Sequence, residues 1–553
     1  MIRDELTALV EQALAAAQSA GDLPEFAAPE VELEHPQRPE HGDYSANLPL
    51  RIQGLAHMKA VEVAEALRAH VPAHEAVAAV EVAQPGFLNF RFDDGWLAAQ
   101  TPVIASDAAY GSSQAGAGQR LQIEYLSANP TGPVHIANAR GGVIGSTLAS
   151  VMRAGGYEVE EEYYINDSGS QAAIFGRTLY ARYQQLFGRD AEIPENGYPG
   201  EYMVEIAQVI KDEAGDRYLK PEGEEHDPAL DRVGIDAMTG QIREDLKLIG
   251  VEYDGWFSER TLQVEGGPYD HVLSELRERG HIVERDGAVW FASSQLGESK
   301  DNVIIRSDGA PTYFATDIAY HYDKLTDRGF DRVIDIWGAD HQGHVSRLKS
   351  SLDALDIDSE RLHVLLYQLV SLRRGTEVVP LSKRAGEIIT LREVVEEVGS
   401  DATRYFFLAT SPNSAIEFDL ELAQKQSEEN PVFYVQYAHA RIAGVLDKAA
   451  GEGLSSEGAD PALLTHEAER TLLRKLLLLP EILEQVVETL EPQPLPHYAQ
   501  ELAGAFHVFY TQCRVVDEDN EALSRARLLL LEATRVVLAR TLSLMGVSAP
   551  DQM

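Results

Sequence analysis

The stretch ANPTGPVHIANARGG, residues 128–142, decides how the chain is read. It follows a short apolar run, LQIEY (121–125), and leads into GVIGSTLASVMRAGG, which has the apolar spacing of a helix ending at Gly155 and Gly156. Pro130, Pro133 and the glycines set a tight turn between the two. YEVEEEYYIND (157–167) then reads as a second strand, so the segment is a βαβ unit. In such a unit the helix N-terminus meets the C-terminal end of the first strand, and its N–H groups attract phosphate. His135 and Asn138 fall at that point. The turn lets the backbone of Pro130, Thr131, Gly132 and Pro133 approach a ligand closely, and an imidazole there can donate to a phosphoryl oxygen as charge builds up. The alternative is structural: His135 caps its own helix, or Asn138 caps a helix beginning near Ala139.

The rest of the chain supplies the setting. Its 553 residues predict three or four domains at about 100 to 200 residues each. With 47 Lys+Arg against 89 Asp+Glu, the formal net charge is -42, which favours solubility and repels polyanions, so any nucleic-acid contact has to use a local basic patch. A single cysteine, Cys513, excludes a disulfide framework and any zinc site needing two thiolates, and fits a reducing, cytoplasmic setting. The first residues, MIRDELTALVEQALAAAQSAGD, have helical periodicity with interspersed acids and read as neither signal peptide nor membrane span.

Residues 1–110 read as a small α+β unit containing HGDYSANLPL and the strand QPGFLNFRF, and 111–120, rich in Gly, Ser and Gln, as a linker. Residues 121–390 carry further strand candidates, GAVWFAS, RVIDIWG and RLHVLLYQLVSL, and predict an open, Rossmann-like α/β sheet with insertions. The run GDRYLKPEGEEHDPALD (215–231) reads as an exposed loop in one of them. Residues 391–420 form a connecting segment, and 421–553 read as an all-α bundle. It opens on NPVFYVQYAHARIAGVLDKA, with Asn430 as cap, Pro431 at the first helical position and Val435, Ala438, Ile442 and Val445 on one face. The long segments 469–490 and 522–546 flank a third around AGAFHVFYTQCRV.

A second basic motif matches the first turn. PLSKRAG (380–386) places Ser382, Lys383 and Arg384 in a loop after a strand, where mobile cations can clamp a polyphosphate in a transition state. Together with HIAN (135–138) this resembles the paired HIGH and KMSKS signatures of class I aminoacyl-tRNA synthetases. The specific resemblance is to arginyl-tRNA synthetases and spans nearly the whole chain: HGDYSANLPL, QPGFLNFRF, IEYLSANPTGPVHI, YYINDSGSQ, YFATDIAYHYDKL, WGADHQGHVSRL, PLSKRAG, GSDATRYFFL and YVQYAHARI occur in that family's order and spacing. Two departures stand out. HIGH is HIAN, with Ala137 and Asn138, and KMSKS is PLSKR, with Pro380, Leu381 and Arg384.

The resemblance implies an ATP-dependent arginine–tRNA ligase, with ATP, Mg2+ carried in by ATP, L-arginine and its cognate tRNA as reactants and partners, working as a monomer. It implies His135, Asn138, Ser382, Lys383 and Arg384 in catalysis, and Pro130, Thr131, Gly132, Pro133, Gly338, Asp340 and His341 around ATP. A guanidinium is best recognised by carboxylates and a ring; Tyr313 and Asp317, four apart on a helix, and Glu124 on the strand are expected there, though Tyr313 as core and Asp317 as a helix-start acid is the plainer reading. Ser127, Asn129, Asn166, Gln342 and, less directly, Asp167 and Gln171 are expected near the amino acid's polar end. His341 and His344 invite a metal reading, but no third ligand has a recognisable spacing.

For RNA, the bundle offers Arg441, Arg514, Arg525, Arg527, Arg535 and Arg540, with Tyr434, Tyr437 and Tyr510 as stacking candidates, at least half of them expected to be buried; the N-terminal unit offers Arg51, Lys59 and Arg68. Two rival readings are a paralogue that adenylates a small acid without charging tRNA, and a non-enzymatic tRNA-binding protein with a lapsed nucleotide site.

Overall fold

The central sheet of the computed structural model, which describes every residue except Ala28, Glu222, Gly223, Glu225 and 381–387, is reached after an N-terminal unit. That unit packs a four-stranded antiparallel sheet, β1 (Leu33–Glu34), β2 (Tyr44–Ala46), β3 (Val77–Ala83) and β4 (Phe87–Phe92) in the order β1-β2-β4-β3, against the Leu48–Ala56 and Ala60–His70 helices, with the Ile2–Ala20 helix lying on the second of these. Gly42, at φ 92°, is required where the chain passes β4, because a Cβ there would lie 2.5 Å from the Phe90 carbonyl oxygen.

The central sheet has five parallel strands: β5 (Arg120–Tyr125), β6 (Glu158–Ile165), β7 (Gly255–Ser258), β11 (Arg332–Gly338) and β12 (Leu362–Tyr367), ordered β12-β11-β5-β6-β7. The order reverses between β5 and β11, and that switch point opens a crevice at their C-terminal ends. Two smaller sheets flank it: β8 (Ile282–Arg285), β9 (Ala288–Phe291) and β10 (Asn302–Ile305) pair antiparallel, and β13 (Val370–Arg374) joins β14 (Glu377–Val379) and β15 (Ile416–Asp419). GAVWFAS therefore forms a strand of an insertion and not of the central sheet, and RLHVLLYQLVSL divides into β12 and β13 at Gln368 and Leu369.

The Ile136–Ala154 helix lies directly on the sheet. Added Cβ atoms at Gly141, Gly142 and Gly145 would come within 2.8 Å of the Tyr367 ring, 2.9 Å of Leu126 and 2.1 Å of the Tyr125 ring, so only glycine permits this approach. Two fully buried arginines, one on the helix and one outside it, hold it in place. Arg140 donates to the carbonyls of Gln368, Ser414, Thr410 and Ser411 at 2.8 to 3.2 Å. Arg404, on the Ser400–Leu408 helix, donates to Met545 O (2.6 Å), Ile249 O (2.7 Å) and the hydroxyls of Ser146 and Thr147 (3.0 and 3.2 Å). One guanidinium thus ties together the catalytic helix, an insertion and the last turn of the chain.

The bundle comprises Pro431–Gly451, Glu467–Leu476, Leu479–Thr489, Pro494–Gln512 and Glu521–Leu544. Asn430 caps the first through Val432 N (3.2 Å). The single segment expected over 469–490 is two helices, because Pro480 lacks an N–H and starts the second. The 215–231 run is also not all loop: Pro228–Lys247 is a helix capped by Asp227, and Tyr218 and Leu230 are buried. The N-terminal unit meets the bundle through ion pairs, Asp43 with Arg474 (2.6 Å) and Asp94 with Arg470 (2.7 Å), while Glu481 takes the Tyr44 hydroxyl and the His35 ring.

Arg404→Met keeps bulk and removes the donors, leaving two buried carbonyls unpaired. A stability loss of about 3 kcal/mol or more is expected. It is checked by thermal unfolding; an unchanged melting temperature contradicts the tie.

Candidate active site

At the end of β5 the chain turns through Leu126 (φ 68°) and Ser127 (φ 30°), two non-glycine residues in left-handed backbone. Such strain concentrates where a site demands it. The turn then enters the helix at Ile136, earlier than the residue pattern indicates, and His135 is the N-cap: its Nδ1 accepts from Ala137 N at 2.9 Å. Capping by Nδ1 puts the proton of the neutral ring on Nε2. Asn138 is not a cap but the third residue of the helix, half-buried, with its backbone N–H on His135 O (2.9 Å). Cap and donor are thus compatible roles for one histidine. Pro130 and Thr131 are buried, Asn129 is exposed, and the Tyr202 hydroxyl holds the Thr131 carbonyl at 2.7 Å.

Residues Ser382, Lys383 and Arg384 lie outside the described residues, but the chain just beyond them is fixed to this turn. Ile136 N donates to Ile389 O (3.2 Å), Leu391 N donates to Val134 O (2.8 Å), and His135 bridges Thr390. On the other side of the switch point, β11 ends at Gly338 and leads through exposed Asp340 and His341 into the Gln342–Ala354 helix. His341 and His344 rings are 6.4 Å apart, and no group of three or more His, Cys, Asp or Glu side chains able to hold a metal occurs among the described residues.

Beside this crevice is an acidic pocket. Asp317, on the Tyr313–Tyr322 helix, faces the His344 ring at 3.6 Å, and burial, with the nearby Glu124 and Glu259 charges, pushes its carboxyl up to about 7. Tyr313 stands one turn before it, 46% exposed and so not core. Glu124 is buried and doubly engaged, by the Ser127 hydroxyl (2.8 Å) and by Lys324 Nζ (2.7 Å). Ser127 Oγ also accepts from Tyr164 N (3.1 Å), and Asn166 Nδ2 reaches Ser127 O at 3.4 Å, so both brace the turn. Asp167 is spent on Ser258 Oγ (2.6 Å) and Arg260 Nε (2.9 Å), and Gln171 is exposed.

What Asp167 braces is Glu259, which residue patterns missed. It is buried, burial pushes its carboxyl up, and its Oε2 carries no hydrogen-bond partner among the described residues. A buried orphan acceptor beside Asp317 is a place for a donor. Nothing in FSERT marks it, since it depends on the unrecognised strand β7.

The candidate RNA residues divide. Tyr437, Arg441, Tyr510 and Arg514 line one cleft of about 990 Å³, with Cys513 and Met553 also in its lining. The Arg441 guanidinium lies 5.3 and 5.5 Å from the Tyr437 and Tyr510 ring centres. Both rings are 37% exposed and Tyr434 is half-buried, against the expectation that most would be core. Arg527 is a correction: it is turned inward, paired with buried Glu469 at 2.7 Å. Arg525 pairs with Glu521, Arg535 is half-buried, and Arg540 reaches Ser112 of the linker. Arg51 and Lys59 are exposed, Arg51 beside Glu32 (2.8 Å) and Arg68 beside Glu65 (2.7 Å).

Three family models match in series: arginyl tRNA synthetase N terminal domain over residues 4–92, tRNA synthetases class I (R) catalytic domain over 100–407, and DALR anticodon binding domain over 435–553. The chain is 52% identical over 545 residues to the arginine–tRNA ligase of Dehalococcoides mccartyi strain BAV1, covering 98% of each, and 45% identical to that of Heliobacterium modesticaldum, covering 100% of this chain and 99% of the relative. An arginyl tRNA synthetase crystal structure from Campylobacter jejuni is 35% identical with a TM-score of 0.76, covering 84% of this chain and 100% of that one. The Thermus thermophilus arginyl-tRNA synthetase, 22% identical with a TM-score of 0.76 over 100% of both chains, shares the fold. On that identity, that span and that order of domains, the chain belongs to the arginyl-tRNA synthetase family.

Proposed function

We infer that the chain is an arginine–tRNA ligase: it activates L-arginine with ATP and transfers the arginyl group to the 3′ end of its tRNA. The observation that carries the reading is that Asp317 and Glu259, two acids whose carboxyls burial pushes up, stand near each other beside the His135 turn at the switch point. The acids receive a guanidinium, and the imidazole at the turn meets a phosphate. The divisions 1–110, 111–120, 121–390, 391–420 and 421–553 then serve as tRNA-contacting unit, linker, catalytic domain, connecting segment and anticodon-binding bundle of a cytoplasmic monomer.

In the activation step the arginine carboxylate attacks the α-phosphorus and pyrophosphate leaves. His135 Nε2–H and the Asn138 amide donate to the charge that develops, and Ser382, Lys383 and Arg384 clamp the departing phosphates. Pro130, Thr131, Gly132 and Pro133 shape the approach of ATP, with Gly338, Asp340 and His341 on its adenosine side. Magnesium arrives on the phosphates and neutralises the leaving group. Asp317, Glu259, Tyr313 and Glu124 surround the guanidinium, and Ser127, Asn129, Asn166 and Gln342 the amino-acid end. Tyr437, Arg441 and Arg514 meet anticodon bases, and Arg51 and Lys59 the outer phosphates of the tRNA. Charging of total tRNA with each amino acid in turn tests the reading: only arginine should be accepted. Charging by another amino acid, or by none, refutes it.

Two predictions refine it. Because Asp317 holds a proton up to about pH 7 and a guanidinium needs its anion, arginine binding releases that proton. The arginine KM should therefore rise as pH falls below about 7, by about tenfold per unit, and level off above it, while the KM for ATP stays flat. Asp317→Asn should remove the pH dependence and raise the arginine KM by about 100-fold or more. A flat arginine profile from about pH 5.5 to 8 in the native chain contradicts the assignment.

His135→Asn separates cap from donor, since asparagine caps helices well but carries no Nε2–H. Unfolding should move by under about 0.5 kcal/mol while single-turnover adenylation slows by about 10- to 100-fold. Native adenylation in this variant would leave His135 a cap only.

A further inference from the structure

Beneath the pocket lies a row of acids that includes Glu124. Glu162 on β6, Glu124 on β5 and Asp335 on β11 sit at one register level, Glu124 being paired with both. On parallel strands about 4.8 Å apart, side chains at one level leave the same face. All three are buried. Three adjacent carboxylates in a dry sheet repel one another unless cations reach them.

The cations come from the segment that carries Asp317. Tyr320 and Arg328 take Glu162, at 2.5 and 2.7 Å. Lys324, with 0% exposure, takes the other two: Nζ is 2.7 Å from Glu124 Oε2 and 3.0 Å from Asp335 Oδ1, over the Tyr320 ring at 4.0 Å. His321 completes the clamp, with Nε2 2.6 Å from Asp335 Oδ2 and Nδ1 2.8 Å from the Asp317 carbonyl. Lys324 stands in the Asp323–Asp327 π-helical turn, which lets the helix end bend toward the sheet.

We propose that Lys324 is a positioning residue of the arginine pocket: as a resident cation it holds Glu124 and Asp335 under the Asp317 helix and leaves Asp317 and Glu259 as the acids an incoming guanidinium must satisfy. The inference rests on the reading of the pocket given above. Lys324 touches no substrate; it acts through Glu124. Without it, Glu124 would either take a proton or turn toward the substrate, and the guanidinium would meet a pocket of different charge and shape.

The test is pyrophosphate exchange by the full chain with its tRNA present, comparing native, Lys324→Met, Glu124→Gln and the double variant. Lys324→Met should raise the arginine KM by on the order of 30-fold or more, with the KM for ATP within about threefold of native. Equal losses toward arginine and ATP, or an unchanged arginine KM, overturn the inference. Should Lys324→Met fail to fold, the pair lacking the Glu124 charge still decides. If Lys324 acts through Glu124, the double variant matches Glu124→Gln within about threefold in arginine KM; a further loss beyond about tenfold contradicts it. Native protein that shows no preference for arginine refutes the pocket itself, whereas arginine-specific native protein with a normal Lys324→Met variant refutes only the role of Lys324.

Discussion

The Ile136–Ala154 helix has to rest its glycines against side chains of the sheet, and the site depends on that contact. Gly141, Gly142 and Gly145 bring it onto Tyr367, Leu126 and Tyr125, which sets the height of its N-terminus above the end of β5. Arg140 and Arg404 then fix its position through six backbone carbonyls, four for the first and two for the second. Buried guanidinium groups are costly unless their donors are met. Here the carbonyls that meet them come from the connecting segment, an insertion and the chain's last turn, so the catalytic helix and the RNA-binding bundle are held as one structure.

Specificity follows a complementary rule. Most buried charge in the catalytic domain is satisfied internally: Glu162 by Arg328, Asp335 by Lys324 and His321, Asp167 by Arg260. Asp317 faces the His344 ring at 3.6 Å, and one oxygen of Glu259 is unpaired among the described residues. A site that leaves acids short of a cation discriminates strongly against a neutral isostere, because an analogue without the charge leaves them unmet. The altered HIAN motif fits the same picture. Its histidine caps the helix through Nδ1, and Asn138 places an amide within the first turn where the signature has a second ring.

Much of this was legible in the residues. Parallel strands buried on both faces read as apolar runs, as in LQIEY and RVIDIWG, and β5, β6 and β11 fall within a residue or so of LQIEY, the acidic YEVEEEYYI and RVIDIWG. Asn430 and Pro431 announced the bundle. What escaped were features set by partners distant in sequence. β7 is four residues long with no period of its own, so Glu259 after it carried no signal. GAVWFAS looked like a strand, but a strand pattern does not name its sheet. Arg527 was counted as RNA-facing because a helix pattern does not reveal that Glu469 waits inside. The helix start at Ile136 was legible as the reading in which His135 caps its own helix, whereas Lys324 was hidden because lysine reads as surface.

The most direct test of the account is a structure of the chain crystallised with arginine and a non-hydrolysable ATP analogue. The account predicts the guanidinium between Asp317 and Glu259, with the α-phosphate at the N-terminus of the Ile136–Ala154 helix beside His135 Nε2. Arginine bound with its guanidinium away from both carboxylates, or a triphosphate that avoids that helix end, would contradict it.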